Sequence, residues 1–87
     1  MEDEIAYPAF QRGKILLRIG RGLVVVIGRH DNEMGGCTLR VKSIEPGDDP
    51  AELCACEEIA PWHFRDVPQP DEPTKARAAL ALAVYSK

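Results

Sequence analysis

The strongest pattern in this chain is a pair of hydrophobic runs separated by a turn that two glycines bound. Hydrophobic and basic residues alternate in Lys14–Ile19, whereas Leu23–Ile27 is hydrophobic at every position. The intervening Gly20-Arg21-Gly22 supplies residues that readily adopt positive φ, as a tight hairpin turn requires. The pattern therefore predicts a β-hairpin whose second strand is central and covered on both faces.

Alternation within the first run predicts which of its side chains face the core. Side chains two residues apart lie on the same face of a strand. We therefore expect one face to be buried, with Ile15, Leu17 and Ile19. The other face is expected to be exposed, with Lys14, Leu16 and Arg18.

Two later segments also read as strands. Cys37–Ile44 alternates and follows a polar loop, Arg29–Gly36, so that Gly28 is expected to end the second strand. Trp62–Val67 alternates as well, and it predicts a short closing strand with Trp62 and Phe64 on the core face.

The stretch between these two strands fits two structures. Asp49-Pro50-Ala51-Glu52 has an N-cap acid, a proline at N1 and a glutamate at N3, which together indicate a helix start. Leu53–Cys56 could instead pair as a strand with Cys37–Ile44. The second interpretation is favoured, with a single helical turn following at Glu57–Ile59.

The C-terminal part predicts a stiff linker and a helix. Prolines mark a linker over residues 68–72, and Asp71-Glu72-Pro73 caps a helix over 73–85. A helix of this length is unstable alone, so we expect it to dock on the rest of the domain or on a partner. Its predicted docking stripe consists of Ala76, Ala79, Leu80, Ala83 and Val84.

Together these elements predict a mainly β protein: a small, partly open barrel of four to five antiparallel strands over residues 10–67, with a C-terminal α-helix. Residues 1–9 are expected to form a flexible acidic leader. A glycine before a basic and apolar strand, a glycine hairpin and a valine-rich strand resemble the opening of many SH3-like and KOW-like modules. The resemblance implies an SH3-like barrel, but a fold of this kind does not specify a function.

Length and composition narrow the range of functions. A chain of 87 residues forms one domain with a modest core. The N-terminus is acidic where a secretory signal would be basic, and Leu23–Ile27 is too short to span a bilayer. The three cysteines, an odd number, fit a reducing compartment. We therefore expect a cytoplasmic protein without a membrane association.

Charge is segregated along the chain. Residues 12–42 contain seven basic and two acidic side chains, whereas residues 43–70 contain seven acidic side chains and Arg65 alone. Such a chain either pairs its two halves internally or presents two faces to different partners. In the second case the predicted strands form a basic face with Lys14, Arg18, Arg21, Arg40 and Lys42.

Few residues have the spacing that catalysis or metal binding needs. A Cys3His zinc site could combine Cys37, Cys54 and Cys56 with His63 or His30, but a C-x-C pair is less typical than C-x2–4-C. Core cysteines are the favoured alternative, because cysteine packs as a small hydrophobic residue. No cysteine has a neighbour that would activate its thiol. Acidic residues that are adjacent in the sequence point their side chains in different directions, so they do not converge on one site. We expect no enzymatic activity, no cofactor and no metal.

Two functions remain, and they belong to different classes. The favoured one is a protein-binding module that acts as an adaptor, an assembly subunit or an inhibitor, with a homodimer through the C-terminal helix as a further possibility. Its expected contacts lie in the polar loop and at exposed hydrophobic positions, with Leu16, His30, Asn32, Met34 and Ile44. The alternative is a nucleic-acid-binding module that uses the basic face.

Overall fold

The computed structural model describes residues 10–31, 33, 36–52 and 57–85. One antiparallel sheet contains five strands: β1 (Ile15–Arg18), β2 (Gly22–Asp31), β3 (Cys37–Ser43), β4 (Glu57–Ile59) and β5 (Phe64–Asp66). A 3-10 turn at Pro61–His63 links β4 to β5, and helix α1 spans Glu72–Val84. The protein is therefore mainly β with one C-terminal helix, as the sequence predicts. The predicted acidic leader, residues 1–9, lies outside the described residues.

The strand order makes the sheet curl without closing. The strands lie in the order β4-β3-β2-β1-β5, so β4 and β5 form the two edges and do not pair with each other. In a flat sheet these edges would be about 19 Å apart, at about 4.8 Å for each neighbouring pair. Yet only residues 60–63 join them, and most of this link is a 3-10 turn that rises only about 2 Å per residue. The sheet must therefore bend to bring its edges towards each other.

Each face of the sheet carries its own hydrophobic cluster. The inner face, towards which the sheet curls, buries Phe10, Leu16, Val24, Val26, Leu39, Val41, Ile59 and Phe64. The opposite face, called the helix face, is covered by α1 and buries Ile15, Val25, Ile27, Ile44, Ala78 and Ala81. Because both faces are covered, β2 is hydrophobic at consecutive positions, as predicted for a central strand.

The predicted register of β1 is wrong. Leu16 is fully buried in the inner cluster, where it lies opposite Val24. Ile15 is also buried, but on the helix face. Leu17 and Ile19, expected in the core, are 40% and 54% exposed. Alternation predicted the wrong exposed residue because β1 buries one residue on each face of the sheet, Leu16 on the inner face and Ile15 on the helix face.

Three predicted boundaries also differ from the structure. β2 continues past Gly28 through a register shift and ends at Asp31. Glu57–Ile59 is a strand that pairs with β3 and does not form the helical turn that was expected. Trp62 belongs to the 3-10 turn, so the closing strand begins only at Phe64. Leu53–Cys56, predicted as a strand, lies outside the described residues.

Helix α1 docks through a different stripe from the one predicted. Its buried residues are Thr74, Ala78 and Ala81, whereas the predicted stripe is largely exposed and Leu80 is 52% exposed. The helix is rich in small hydrophobic residues all round, so its sequence does not identify one docking face. Two hydrogen bonds from arginine side chains to main-chain carbonyls help to set the position of the helix. Arg77 Nε donates to the Ile44 carbonyl at 2.6 Å, and Arg12 Nη2 donates to the Leu82 carbonyl at 3.3 Å.

Asp71 caps α1 and gives the helix a pH dependence. Its Oδ1 accepts a hydrogen bond from the Thr74 N–H at 2.9 Å. Hydrogen bonding with the Thr74 side chain, and then with its backbone N–H, holds the pKa of the Asp71 carboxyl below its ordinary value. The ionised cap therefore stabilises the fold above the unfolded-state pKa of about 3.9, and this contribution is lost as the pH falls through the lower folded-state pKa.

We expect Asp71→Asn to have a flatter stability profile than the wild type between pH 5 and pH 2, because an amide oxygen also caps but does not titrate. Thermal melts followed by circular dichroism at each pH measure this difference. Titration of the other carboxylates changes the stability of both proteins in the same way, so it cancels when the two pH profiles are compared. Parallel profiles for the two proteins would show that the Asp71 charge contributes nothing.

Candidate functional site

The predicted basic face is divided between the two faces of the sheet. In β3, Lys42 pairs in register with Val25, a member of the helix-face cluster. Arg40, two residues earlier on the same strand, lies on that side as well. In β1, Arg18 has the same alternation as Leu16 and therefore lies on the inner side. These basic residues do not form the single patch that the sequence suggested, because the β2–β3 register places Arg40 and Lys42 on the opposite side of the sheet from Arg18.

Several of these cations are also engaged within the protein. Lys14, on the same side as Arg18, forms an ion pair with Asp66 at 2.6 Å. Arg18 forms one with Glu57. Lys42 is only 5% exposed, and its Nζ donates to the backbone carbonyl of Asp49 at 3.2 Å. The contacts of these three residues join the basic half of the chain to the acidic half, as the internal-pairing interpretation predicts.

The predicted loop and apolar contacts are not brought together as one site. Leu16 and Ile44, both expected to be exposed, are fully buried on opposite faces of the sheet. His30 is exposed near the end of β2, opposite Thr38. Asn32 and Met34 lie outside the described residues.

The zinc ligands proposed from the sequence are described only in part. Cys37 is a free, buried cysteine at the start of β3, whereas His63 is exposed in the 3-10 turn. Cys54 and Cys56 lie outside the described residues. Within the part of the chain that the structure describes, no group of three or more potential ligands converges.

A cavity of about 580 Å³ opens at the end of the sheet where β2 begins and β3 ends. Its wall includes Val24 and Val41 together with several carboxylates. Three of these carboxylates already have structural partners: Glu45 accepts from the Leu23 N–H, Asp48 from the Ser43 hydroxyl and Glu57 from Arg18. These three carboxylates therefore help to hold the strands and the loop after β3 together.

Three of the four exposed large hydrophobic residues in the described part of the chain, Leu17, Ile19 and Trp62, lie at one end of the sheet and are called here the Trp62 surface. Trp62 is 66% exposed, the highest value among the exposed large hydrophobic side chains of the described residues. Main-chain contacts bring the three residues to one end of the sheet: the Ile19 N–H donates to the His63 carbonyl at 3.0 Å, and Leu17 lies opposite Arg65 in register.

The 3-10 turn holds Trp62 in a defined position. Pro61 is fully buried beneath the turn, and the His63 N–H donates to the Ala60 carbonyl at 3.2 Å. The Trp62 and His63 rings lie 6.1 Å apart and are tilted by 35°. An exposed indole that is held in this way can contact a partner at little cost in backbone entropy.

Arg65 lies beside the Trp62 surface, whereas Arg21 lines the cavity together with its carboxylates. Arg65 is exposed in β5, opposite Leu17, and Arg21 is exposed in the hairpin turn that follows Ile19. The exposed His63 lies beside Trp62. Among the residues that the structure describes, none forms an ion pair with Arg21 or Arg65.

Sequence reasoning placed all three residues of the Trp62 surface in the core. Alternation assigned Leu17 and Ile19 to the buried face of β1, and it aligned Trp62 with Phe64. Pro61 was the signal that could have corrected the second assignment, because a proline is common in the first turn of a helix and disfavoured inside a strand. No local signal identifies Leu17 and Ile19 as exposed.

In the described part of the chain, no helix has the length and hydrophobicity needed to cross a membrane. Comparison with known proteins adds no relative from which a function could be transferred: no family model, curated protein or solved structure matches this chain.

Proposed function

We propose that this protein is a non-enzymatic protein-binding module that acts by covering a surface of a larger partner. The observation that carries the proposal is the exposure of Trp62 beside Ile19 and Leu17 at one end of the sheet. Adaptor, assembly subunit and inhibitor are all roles that such a module can fill.

The chemistry of the Trp62 surface favours a protein partner. Burying hydrophobic area contributes about 25 cal/mol per Å², and tryptophan is among the residues enriched at binding hot spots. Two exposed aliphatic side chains at the same end of the sheet enlarge the area that a hydrophobic partner can cover. Because the turn already fixes the backbone at Trp62, little backbone freedom is lost on binding.

Nucleic-acid binding remains the alternative, and one observation favours it: the exposed aromatic residue Trp62 lies at the same end of the sheet as the exposed Arg65. The original basis for this alternative is weaker, because the expected basic face is split and Lys14 and Arg18 are paired with acids. The aliphatic neighbours of Trp62 also suit a protein better than a phosphate backbone. Protein binding is therefore the better supported of the two.

We also propose that the domain is SH3-like. The support is its size, the antiparallel sheet in which β1 lies between β2 and β5, and the short link between the two edge strands. This assignment concerns architecture alone and does not select a partner.

The proposal predicts that Trp62→Ala lowers affinity for protein ligands about 30-fold, as expected for a hot-spot residue worth about 2 kcal/mol. Peptides are selected from a random display library on the immobilised wild type, and their affinities are then measured on the variant. Leu80→Ala is the matched control, since Leu80 is also a large exposed hydrophobic residue but lies on α1. It should leave both affinity and melting temperature close to wild type.

Two results would contradict the proposal. One is a selection that enriches no peptide, or that enriches peptides which bind Trp62→Ala as tightly as the wild type. The other comes from fluorescence anisotropy with labelled single-stranded DNA and RNA at about 50 and about 200 mM salt: micromolar binding that weakens with salt and requires Trp62 would assign the surface to nucleic acid.

A further inference from the structure

We infer that the edge of the sheet beside the Trp62 surface is closed to strand addition, so that a partner is recognised there through side chains and not through main-chain pairing with β5. This inference rests on the proposed function and specifies its mode of recognition. An extended segment of a partner can bind a β domain by adding a strand to an open sheet edge. β5 is an edge of this kind, since it pairs with β1 on one side only.

The hydrogen bonds between β1 and β5 fix which main-chain groups of β5 face outward. In an antiparallel pair, residues whose N–H and C=O groups point at the neighbouring strand alternate with residues whose groups point away. The Ile19 N–H donates to the His63 carbonyl at 3.0 Å. Two residues further along the chain, Arg65 therefore also points its main-chain groups at β1, whereas Phe64 and Asp66 point theirs away from it.

The other side of β1 gives the same result. The Val26 N–H donates to the Lys14 carbonyl at 2.9 Å, so every second residue from Lys14 onward points its main-chain groups at β2. Leu17 belongs to the other set and faces β5, where it lies opposite Arg65. The two hydrogen bonds therefore agree on the orientation of the β5 main chain.

Little of the outward side of β5 is available to a further strand. The Phe64 N–H already donates to the Pro61 carbonyl of the 3-10 turn, and Phe64 is only 6% exposed. Two residues beyond Asp66, on the same side of the chain, Pro68 has no N–H to donate. Among the described residues of β5, only Asp66 therefore keeps both its N–H and its C=O for pairing.

A single residue is too short a template for an added strand, since strands in sheets are usually about 3–10 residues long. The exposed side chains of Arg65 and Asp66 disfavour pairing further, because charged residues and prolines at an edge are the features that block strand addition. The ion pair with Lys14 at 2.6 Å also fixes the Asp66 carboxylate at this edge. A partner that covers Leu17 and Trp62 must therefore satisfy its own main-chain groups internally or leave them in water.

Amide hydrogen exchange, measured by NMR on the wild-type protein, tests this inference. The ligand is the tightest Trp62-dependent peptide from the random display library. With saturating peptide, we expect the resonance of the Trp62 indole N–H to shift, whereas the exchange rate of the Asp66 amide changes less than about 2-fold. The Arg65 amide is the matched control, because it faces β1 and reports any general stabilisation of the fold by the ligand.

The outcomes separate this inference from the proposed function. Protection of the Asp66 amide by about 10-fold or more, together with a shifted indole resonance, would demonstrate strand addition and overturn the inference while leaving protein binding intact. If no selected peptide shifts the indole resonance, protein binding at the Trp62 surface is wrong, and the inference falls with it.

A second measurement applies if the Asp66 amide exchanges too fast to follow. The peptide is then synthesised with one main-chain amide at a time replaced by an ester, which removes a single N–H donor. Strand addition predicts losses of affinity of about 5-fold or more at every second position, and such a pattern would contradict the inference. Any other pattern supports recognition through side chains.

Discussion

Replacing Leu16 with alanine is expected to lower the free energy of unfolding by about 3 kcal/mol, because truncating a buried leucine leaves a cavity and loses hydrophobic burial. Leu16 has no exposed surface, and it packs in the inner cluster opposite Val24. In a domain of this size the loss corresponds to a decrease in melting temperature of about 12–24 °C. Urea unfolding followed by circular dichroism measures the free energy directly.

Leu17→Ala is the matched control, since the same chemical change is made one residue away. Leu17 is 40% exposed, so its truncation should cost less than about 1 kcal/mol. The pair tests the register of β1, because alternation in the sequence predicts the reverse order of effects. A larger loss at Leu17 than at Leu16 would show that β1 presents its other face to the inner cluster.

Gly22→Ala is expected to destabilise the protein by about 3 kcal/mol, for two reasons. Gly22 has φ of 130°, a conformation that costs other residues about 1–3 kcal/mol. A Cβ at this position would also lie 2.5 Å from Glu45 Oε2. The Glu45 carboxylate accepts a hydrogen bond from the Leu23 N–H, so moving it away leaves that partly buried donor without its partner.

Two other glycines separate these causes. Gly20 has φ of 80°, and a Cβ added there would meet no atom within 4 Å, so Gly20→Ala should show only the backbone strain, about 1–2 kcal/mol. Gly28 has neither a positive φ nor a close neighbour, so its replacement by alanine should leave stability unchanged or slightly raised. Equal unfolding free energies for all three variants would refute the conformational role of Gly22.

The elements that could be predicted from the sequence are those with local signals. The hairpin between β1 and β2 follows from Gly20 and Gly22, and both have positive φ. The alternation of Cys37–Ile44 correctly predicts strand β3, in which Cys37, Leu39 and Val41 are buried at alternate positions. Turn chemistry and periodicity are properties of neighbouring residues, so a single sequence contains them.

The errors arise where burial depends on distant parts of the chain. β1 is hydrophobic on both faces, and Leu17 is exposed although Ile15, on the same side of the strand, is buried in the helix-face cluster. The docking stripe of α1 is not defined by its own sequence, and the arginine contacts to Ile44 and Leu82 join residues more than thirty positions apart. Neither fact can be obtained from local periodicity.

The candidate site was missed for the same reason. Lys14 and Arg18 were grouped with Arg40 and Lys42 because both pairs alternate with hydrophobic residues, but only the β2–β3 register decides that the pairs lie on opposite faces. Exposure of the Trp62 surface depends on the curl of the sheet and on the 3-10 turn between its edges. Both are properties of the assembled fold.

The link between the two sheet edges has a consequence for genetics. Pro61 is fully buried and Trp62 is 66% exposed, so adjacent codons specify a structural residue and a surface residue. Under the proposed function, a mutational screen that records only loss of function would map both positions to a single cluster. Recording the cellular abundance of each variant as well would divide that cluster, with unstable alleles at Pro61 and fully abundant, inactive alleles at Trp62.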